Sequence, residues 1–461
     1  MKDSFWIKEI KDSIAYSPSL DGDINTDIAI IGGGFVGLWT AILIKEKSPK
    51  TNVVILEKNF CGSGASGRNG GMVMSWWPKI HTLIQICGIQ EALMIAQESE
   101  KCINEIGAFC ETHQIEADFE QAGWFWTATT EKQKGAWNSV KKLTEDNGFS
   151  IYKDIPISEL AKKSGSDAHL EGVIEESNAI VQPAKLAQGL KKVALSMGIT
   201  IYENTSAESI IKTNPAKIIT QNGSVTAPKV IIANNAWSAT FEPELAKSIL
   251  VVTSTIVATK PIPEKLDNMG WTGKEAITDS QLMVGYYRTT ADNRIAYGKG
   301  TGGIYYKNKI GENFGKDPSF IEDTVKDFKR TYSEITDSDI EHVWSGPIDR
   351  TYDSFPLFGY LTNSPNIIYG VGWSGNGVGP SRMGGKILSS MALEEDNHLT
   401  NLKIINRKVR LFPNEPIRYI GGNLVRQAVR RNEQAAILNK EGSFLDIRLA
   451  KFAPSGLEDK N

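Results

Sequence analysis

The sequence predicts an α/β fold of two interleaved domains, a Rossmann-like unit on a parallel sheet and an α+β unit on a mostly antiparallel sheet. Three observations carry this. A β-branched run, Asp27-Ile28-Ala29-Ile30-Ile31, ends at Gly32-Gly33-Gly34 and enters a helical pattern over residues 36–47. A second apolar run over residues 52–56 closes at Glu57, completing a β-α-β unit whose right-handed crossover makes the two strands parallel neighbours. Farther on, residues 251–259, 281–289 and 294–299 alternate like strands and are separated by turn residues such as Ala291-Asp292-Asn293.

The remaining elements fit around this frame. Helical spacing over 88–107 leads to an alternating strand, Trp124-Phe125-Trp126-Thr127. A helix over 183–197, a strand over 199–202 and a buried run over 229–234 return the chain to the parallel sheet, which 366–370 and a helix over 378–393 complete. The expected division is therefore 1–85, 155–248 and 343–400 for the Rossmann-like domain and 86–154 and 249–342 for the second domain, with a basic tail over 401–461 that is helical over 425–439.

Composition narrows the function classes. A chain of 461 residues with 41% hydrophobic and 23% charged residues is long enough for two cores, and a net charge of −3 leaves no electrostatic footprint for nucleic acid. The four cysteines, Cys61, Cys87, Cys102 and Cys110, form neither a CxxC pair nor a disulfide framework, which fits a reducing compartment. Charges at Lys2, Asp3, Lys8 and Glu9 interrupt any signal-peptide core, and no apolar run is long enough to span a membrane, so a cytoplasmic protein without a transmembrane segment is expected. The five histidines are scattered without ligand spacing, so no metal is expected.

Gly32-x-Gly34-x-x-Gly37 stands between strand and helix, where the first glycine permits the turn, the second lets a pyrophosphate approach the backbone and the third allows close helix packing. Phosphates would then meet the helix N-terminus at Phe35 and Val36. Glu57 ends the next strand 20 residues after Gly37, where a carboxylate accepts hydrogen bonds from a ribose and repels a phosphorylated one, disfavouring NADP. This spacing alone does not separate FAD from NAD. The segment after Glu57 and Lys58 favours FAD: residues 61–71 contain five glycines in eleven positions, suiting close backbone approach to an extended cofactor.

These residues resemble the D-amino acid oxidase/glycine oxidase superfamily of FAD-dependent flavoproteins, which includes gamma-glutamylputrescine oxidase. The resemblance rests on Gly32 to Gly37, Glu57, Gly64-Ala65-Ser66-Gly67-Arg68-Asn69-Gly70-Gly71, Asn235-Ala236-Trp237 and Gly372-Trp373-Ser374-Gly375-Asn376-Gly377-Val378-Gly379. Within it, Ser75-Trp76-Trp77, Gly123-Trp124-Phe125-Trp126 and Ala453-Pro454-Ser455-Gly456-Leu457 are similar to aminophosphonate oxidoreductases. The resemblance implies an FAD-binding Rossmann-like domain with an interleaved α+β substrate domain. It places the adenine near Ala207 and the flavin ring between the domains beside the Gly372 turn; some relatives attach the flavin covalently through cysteine or histidine, but Cys61 stands beside the adenosine end, so a non-covalent FAD is expected. It also implies hydride transfer from the carbon next to an amine to flavin N5, followed by imine hydrolysis.

Because the flavin performs the difficult step, no catalytic base is obligatory. Substrate-facing candidates are Trp77, Trp126, Tyr287, Arg288, Arg350 and Trp373; Tyr286 and Tyr287 point to opposite faces of their strand, so at most one of the two faces a pocket. Relatives carry a carboxylate-binding arginine shortly after a Trp-Ala-Gly-like turn, but after Trp344-Ser345-Gly346 the matching position holds Ile348 and arginine first appears at Arg350. That departure points away from a simple amino acid and toward a small amine with a differently spaced anionic group, such as 2-aminoethylphosphonate or an N-alkyl derivative. Alternatives are a gamma-glutamylputrescine-type or other small amine or amino acid oxidase, an NAD-dependent dehydrogenase and a non-catalytic flavoprotein subunit. Oxygen or a quinone would accept the electrons.

Overall fold

A computed structural model describes residues 1–456; Leu457 of the C-terminal motif lies outside the described residues. Its parallel sheet has six strands in the order Leu357–Leu361, Ser364–Val371, Lys229–Ile232, Ile28–Ile31, Val53–Leu56 and Thr200–Tyr202, with only the first pair antiparallel. Both faces of this sheet are covered, which is why its central strands read as unbroken apolar runs. Ile28, Ile30, Val53 and Ile55 pack against Leu38, Trp39 and Ile42 of the helix Phe35–Lys47 and against the helices Pro183–Ser196 and Pro380–Ala392. Ala29, Ile31, Val54 and Leu56 face a four-stranded sheet through Ala216, Ile218, Val225 and Ala227.

The second sheet has eight strands and is antiparallel except where Trp124–Ala128 runs parallel to Ala276–Asp279. One face packs on the helix Pro318–Thr331 through Phe125, Tyr287, Tyr297 and Phe328. On the other face Ile256, Ala258, Ala296 and Trp344 meet Phe5, Trp6 and Ile7 of a short helix, Phe5–Ile10, that the residue pattern did not reveal.

The observed layers differ from the expected division in three places. Glu171–Glu175 pairs with Trp124–Ala128, and Ile340–Arg350 pairs with Leu250–Thr259, so both belong to the antiparallel sheet. The helix Ile89–Thr112, expected in the second domain, buries Ile95, Ile103 and Ile106 in the core shared with the cofactor-side helices. Strand pairing across long sequence gaps decides these memberships, and local periodicity carries no such information. The tail forms two helices, Ile417–Ile437 and Phe444–Ala450, the first beginning earlier than expected. Among the described residues no helix is long and apolar enough to cross a membrane.

A buried ion pair ties the parallel sheet to its loops. Glu203, fully buried, accepts from Ser17 N and Cys61 N at 2.7 Å each and from Lys191 Nζ at 2.8 Å; Lys191 is 3% exposed. Removing one partner strands a buried charge, so Lys191→Met is expected to lower unfolding free energy by about 3–5 kcal/mol in urea titration. A change of under about 1 kcal/mol would show that the pair is solvated rather than buried.

Candidate active site

The glycine turn is constrained at its first and third positions. Gly32 has φ +114° and a Cβ there would stand 2.6 Å from Ala233 O, while a Cβ on Gly37 would stand 2.0 Å from Gly32 O. Gly34, the N-cap of Phe35–Lys47, meets only the Ser66 hydroxyl, so its surface is open to a ligand. Phe35 N donates to Ser66 Oγ at 2.9 Å, and the amides of Gly34 and Val36 have no partner among the described residues. Glu57 accepts from Gly33 N at 2.8 Å and Asn59 N at 3.0 Å. Burial pushes its carboxyl above the ordinary value despite those two donors.

The loop after Glu57 is held by its carbonyls. Ser4 Oγ donates to Gly67 O at 2.6 Å, Trp344 Nε1 to Arg68 O at 2.9 Å, Trp6 Nε1 to Asn69 O at 2.8 Å and Arg288 Nε to Gly70 O at 2.8 Å. Val181 N donates to Gly71 O at 2.8 Å. Five consecutive carbonyls are thus fixed from outside the loop, which removes the polar cost of burying an irregular segment. The Asn69 side chain completes the brace: its Nδ2 donates to Ala65 O and Ser66 O, and its Oδ1 accepts from Gly71 N at 2.7 Å.

At the other end, residues 348–350 meet the turn after Ser364–Val371. Asp349 Oδ2 accepts from Gly372 N at 2.6 Å and Oδ1 from Trp373 N at 3.0 Å. Burial pushes this carboxyl up to about 7. With those two amides taken, the amides of Gly375, Gly377 and Val378 have no partner among the described residues, and they lie just before the helix Pro380–Ala392. Asn376 Nδ2 anchors the turn to Ser75 O at 3.0 Å, and Ile348 packs 3.5 Å from where a Cβ on Gly375 would stand.

One cavity of about 890 Å³ runs between these ends, within the range of ligand sites. Gly32, Gly34, Phe35, Val36, Glu57, Lys58 and Ala207 line it, as do Gly64, Ala65, Ser66, Arg68, Asn69 and Gly70 of the braced loop. Asn235, Trp237, Arg350, Trp373, Gly375, Asn376, Gly377 and Val378 line it as well. Gly37, Gly71, Ala236 and Gly372 stand behind the wall: a Cβ on Gly71 would stand 2.1 Å from Val181 O, and one on Gly372 2.5 Å from the Thr351 methyl. Three buried polar atoms of lining residues have no partner among the described residues, Asn234 Oδ1, Asn235 Oδ1 and Arg350 Nε. A cavity with bare amides at both ends and the orphaned Asn234 and Asn235 oxygens on its wall fits an extended dinucleotide.

Four substrate-facing candidates lie elsewhere. Tyr287 is buried on the far face, where its hydroxyl meets His169 Nε2 at 2.6 Å; its neighbour Tyr286 lines the cavity instead, its hydroxyl 2.7 Å from Ser254 Oγ. Trp77 is also out by one position: it is buried with Nε1 on Glu100, while Trp76 lines the cavity. Trp126 stacks on Trp124 and donates to Ser280 Oγ in the core. Arg288 is spent on Gly70 O and Val181 O and lies 4.9 Å from the Trp6 ring. The residue pattern also missed Lys79, Asp349, Tyr286 and Gly456, all of which line the cavity. Strand parity could have exposed Tyr286, but no local signal marks the others.

Residues 27–391 match the family described as "DAO: FAD dependent oxidoreductase". The chain belongs to that family. Gamma-glutamylputrescine oxidoreductase of Escherichia coli strain K12 is 29% identical over 381 residues, covering 82% of this chain and 86% of the relative. A probable oxidoreductase OrdL of Haemophilus influenzae is 27% identical over 394 residues, covering 83% and 86%. Among solved structures, glycine oxidase from Geobacillus kaustophilus superposes with a TM-score of 0.66 at 20% identity, covering 81% of this chain and 96% of that one. L-Proline dehydrogenase from P. horikoshii gives 0.68 at 17%, covering 82% and 96%; at such identity the likeness concerns fold. The protein is an FAD-dependent oxidoreductase, and FAD is its cofactor.

Two outcomes follow from the brace and from Asp349. Trp6→Phe keeps an aromatic side chain but removes the indole N–H with its hydrogen bond to Asn69 O and part of the buried packing, so the FAD dissociation constant should rise at least about 2- to 10-fold in a flavin-release assay. Asp349 is neutral well below pH 7 and an anion well above it. An anion behind the turn disfavours electron uptake, so Asp349→Asn should match the wild-type flavin reduction potential near pH 6 and exceed it near pH 8. An equal offset at both pH values would show that Asp349 does not titrate there.

Proposed function

We propose that the protein oxidises a small amine carrying an anionic group, with 2-aminoethylphosphonate or an N-alkyl derivative as the leading candidate. The observation that carries this is Arg350. Its guanidinium lines the cavity and makes no hydrogen bond or ion pair with any described residue, and burial alone pushes its pKa down to about 10. Arg350 is half-buried against the cavity, and a partly desolvated cation without a counter-ion is costly, so an anion delivered with the substrate would offset that cost. Guanidinium geometry suits bidentate contact with phosphonate or carboxylate oxygens.

In this reading Gly32, Gly34, Phe35, Val36, Gly37 and Glu57 hold the pyrophosphate and ribose of FAD, with Lys58 and Ala207 at the adenosine end. Gly64 to Gly71 and Asn235 to Trp237 flank its middle, and the free amides of the Gly372 to Val378 turn face the ring. Bound FAD supplies the hydride acceptor. Arg350 fixes the anionic end of the substrate, and Trp373, Ile348 and Tyr286 enclose the amine end and exclude water. Burial pushes the Tyr286 hydroxyl upward and Asp349 is committed to two backbone amides, so neither serves as a base and the amine reacts in its neutral form. Water then hydrolyses the released imine to an aldehyde and an amine or ammonia.

A second reading, oxidation of a gamma-glutamylputrescine-type amine, is favoured by the 29% identical relative of that name. Both are tested by anaerobic mixing of the FAD-loaded protein with 2-aminoethylphosphonate, its N-methyl derivative, gamma-glutamylputrescine, sarcosine and D-alanine, following loss of flavin absorbance. An anionic amine should bleach the flavin without added NAD. Arg350→Ala should raise the apparent dissociation constant for that amine about 10- to 100-fold, the loss of a charged hydrogen bond, and Arg350→Lys should recover part of it. Equal constants in wild type and Arg350→Ala would remove the anion-binding role.

A further inference from the structure

The family match ends at residue 391, yet the chain continues into two helices and a terminal stretch that reaches the cavity. Helix Ile417–Ile437 grips the cavity wall from behind. Arg426 Nε donates to Thr301 O at 2.7 Å, between the lining glycines Gly300 and Gly302, and Glu433 Oε1 accepts from Met283 N at 2.7 Å, between the lining residues Leu282 and Val284. Arg430 pairs with Asp323 at 2.6 Å. Val429, Val425, Ala450 and Ala453 pack on Leu282 and Met283. Past Phe452, which is exposed, the chain turns inward: Ala453 and Ser455 are buried, and Gly456 lines the cavity.

That inward turn is pinned beside the anion-binding strand. Ser354 Oγ donates to Ser455 O at 2.7 Å and Ser455 N donates to Tyr352 O at 3.3 Å, placing the stretch next to the segment that begins at Arg350. Ser354 itself lines the cavity. A Cβ on Gly456 would stand 3.1 Å from Leu282 Cδ1, so any larger residue there would have to displace Leu282 or protrude into the cavity.

We infer that residues 453–456 form the closing wall at the substrate end of the cavity, limiting the size of the amine admitted and shielding the flavin from solvent. The stretch acts by shape: it has no reacting group, and helix Ile417–Ile437 holds it in register with Leu282 and Val284. This inference requires FAD in the cavity and is independent of which amine is oxidised.

The test compares the FAD-loaded full chain with chains ending at Gly456 and at Phe452, reading quenching of flavin fluorescence by iodide and flavin content. The chain ending at Gly456 should behave as the full chain, whereas the one ending at Phe452 should keep its flavin and be quenched severalfold more strongly. Ser354→Ala, which removes one anchoring hydrogen bond in the intact chain, should raise the quenching constant about 2- to 10-fold and keeps the test open if the shorter chain fails to fold. Gly456→Leu should act oppositely, lowering quenching and excluding the longest amines of a homologous series first. Unchanged quenching in both Ser354→Ala and the chain ending at Phe452, or an increase already present in the chain ending at Gly456, would overturn the inference.

Discussion

Between Gly67 and Gly71 an irregular, glycine-rich segment runs through the interior with every carbonyl accepting from a group outside it. Such a segment forgoes the ladder of a helix or sheet, and each unpaired buried carbonyl would cost about 1–3 kcal/mol. Ser4 and Trp6 come from the amino-terminal helix, Trp344 and Arg288 from the antiparallel sheet, and Val181 from the approach to helix Pro183–Ser196. The two sheets and the amino terminus therefore meet at this loop, and the cavity takes its shape from their agreement. Arg288 illustrates the cost of that role: stacked on Trp6 and bonded to two carbonyls, it is unavailable to a ligand.

Buried charge is used in two distinct ways. Glu203 is saturated by Lys191 and two backbone amides, which makes it a structural anchor for the cofactor loop. Asp349 is bonded to two amides, and among the described residues neither it nor Arg350, one residue on, makes an ion pair. Adjacent residues on one strand thus serve different partners. The carboxylate organises a turn of the protein, and the guanidinium is the group that the proposed function assigns to the substrate's anion.

Much of this was legible in the sequence because it is local. Gly32, Gly37 and Glu57 occupy a strand-turn-helix-strand unit whose geometry follows from four short stretches, and Arg350 was singled out by the departure at Ile348. Tyr287 and Trp77 were read one residue from the cavity-lining Tyr286 and Trp76. For Tyr287, alternation along a strand gives two faces without saying which one is inward; Trp77 opens a short 3-10 helix, where no alternation separates it from Trp76. Trp126 was drawn from an aromatic stretch that turned out to be core. Arg288 looked available because its partners, Gly70 and Val181, lie 218 and 107 residues away. The membership of Glu171–Glu175 and Ile340–Arg350 in the antiparallel sheet has the same origin in long-range pairing.

In the proposed arrangement FAD would lie along one continuous cavity, with its ring at the 372–378 turn and Arg350 left open beside it. A crystal structure of the FAD-loaded protein tests this most directly. It should show the pyrophosphate at Gly34 and Val36, the ring next to Gly375, Gly377 and Val378, and the Arg350 guanidinium facing the space beside the ring without a protein carboxylate. A ring lodged elsewhere, or Arg350 paired with an acidic side chain of the chain itself, would contradict it.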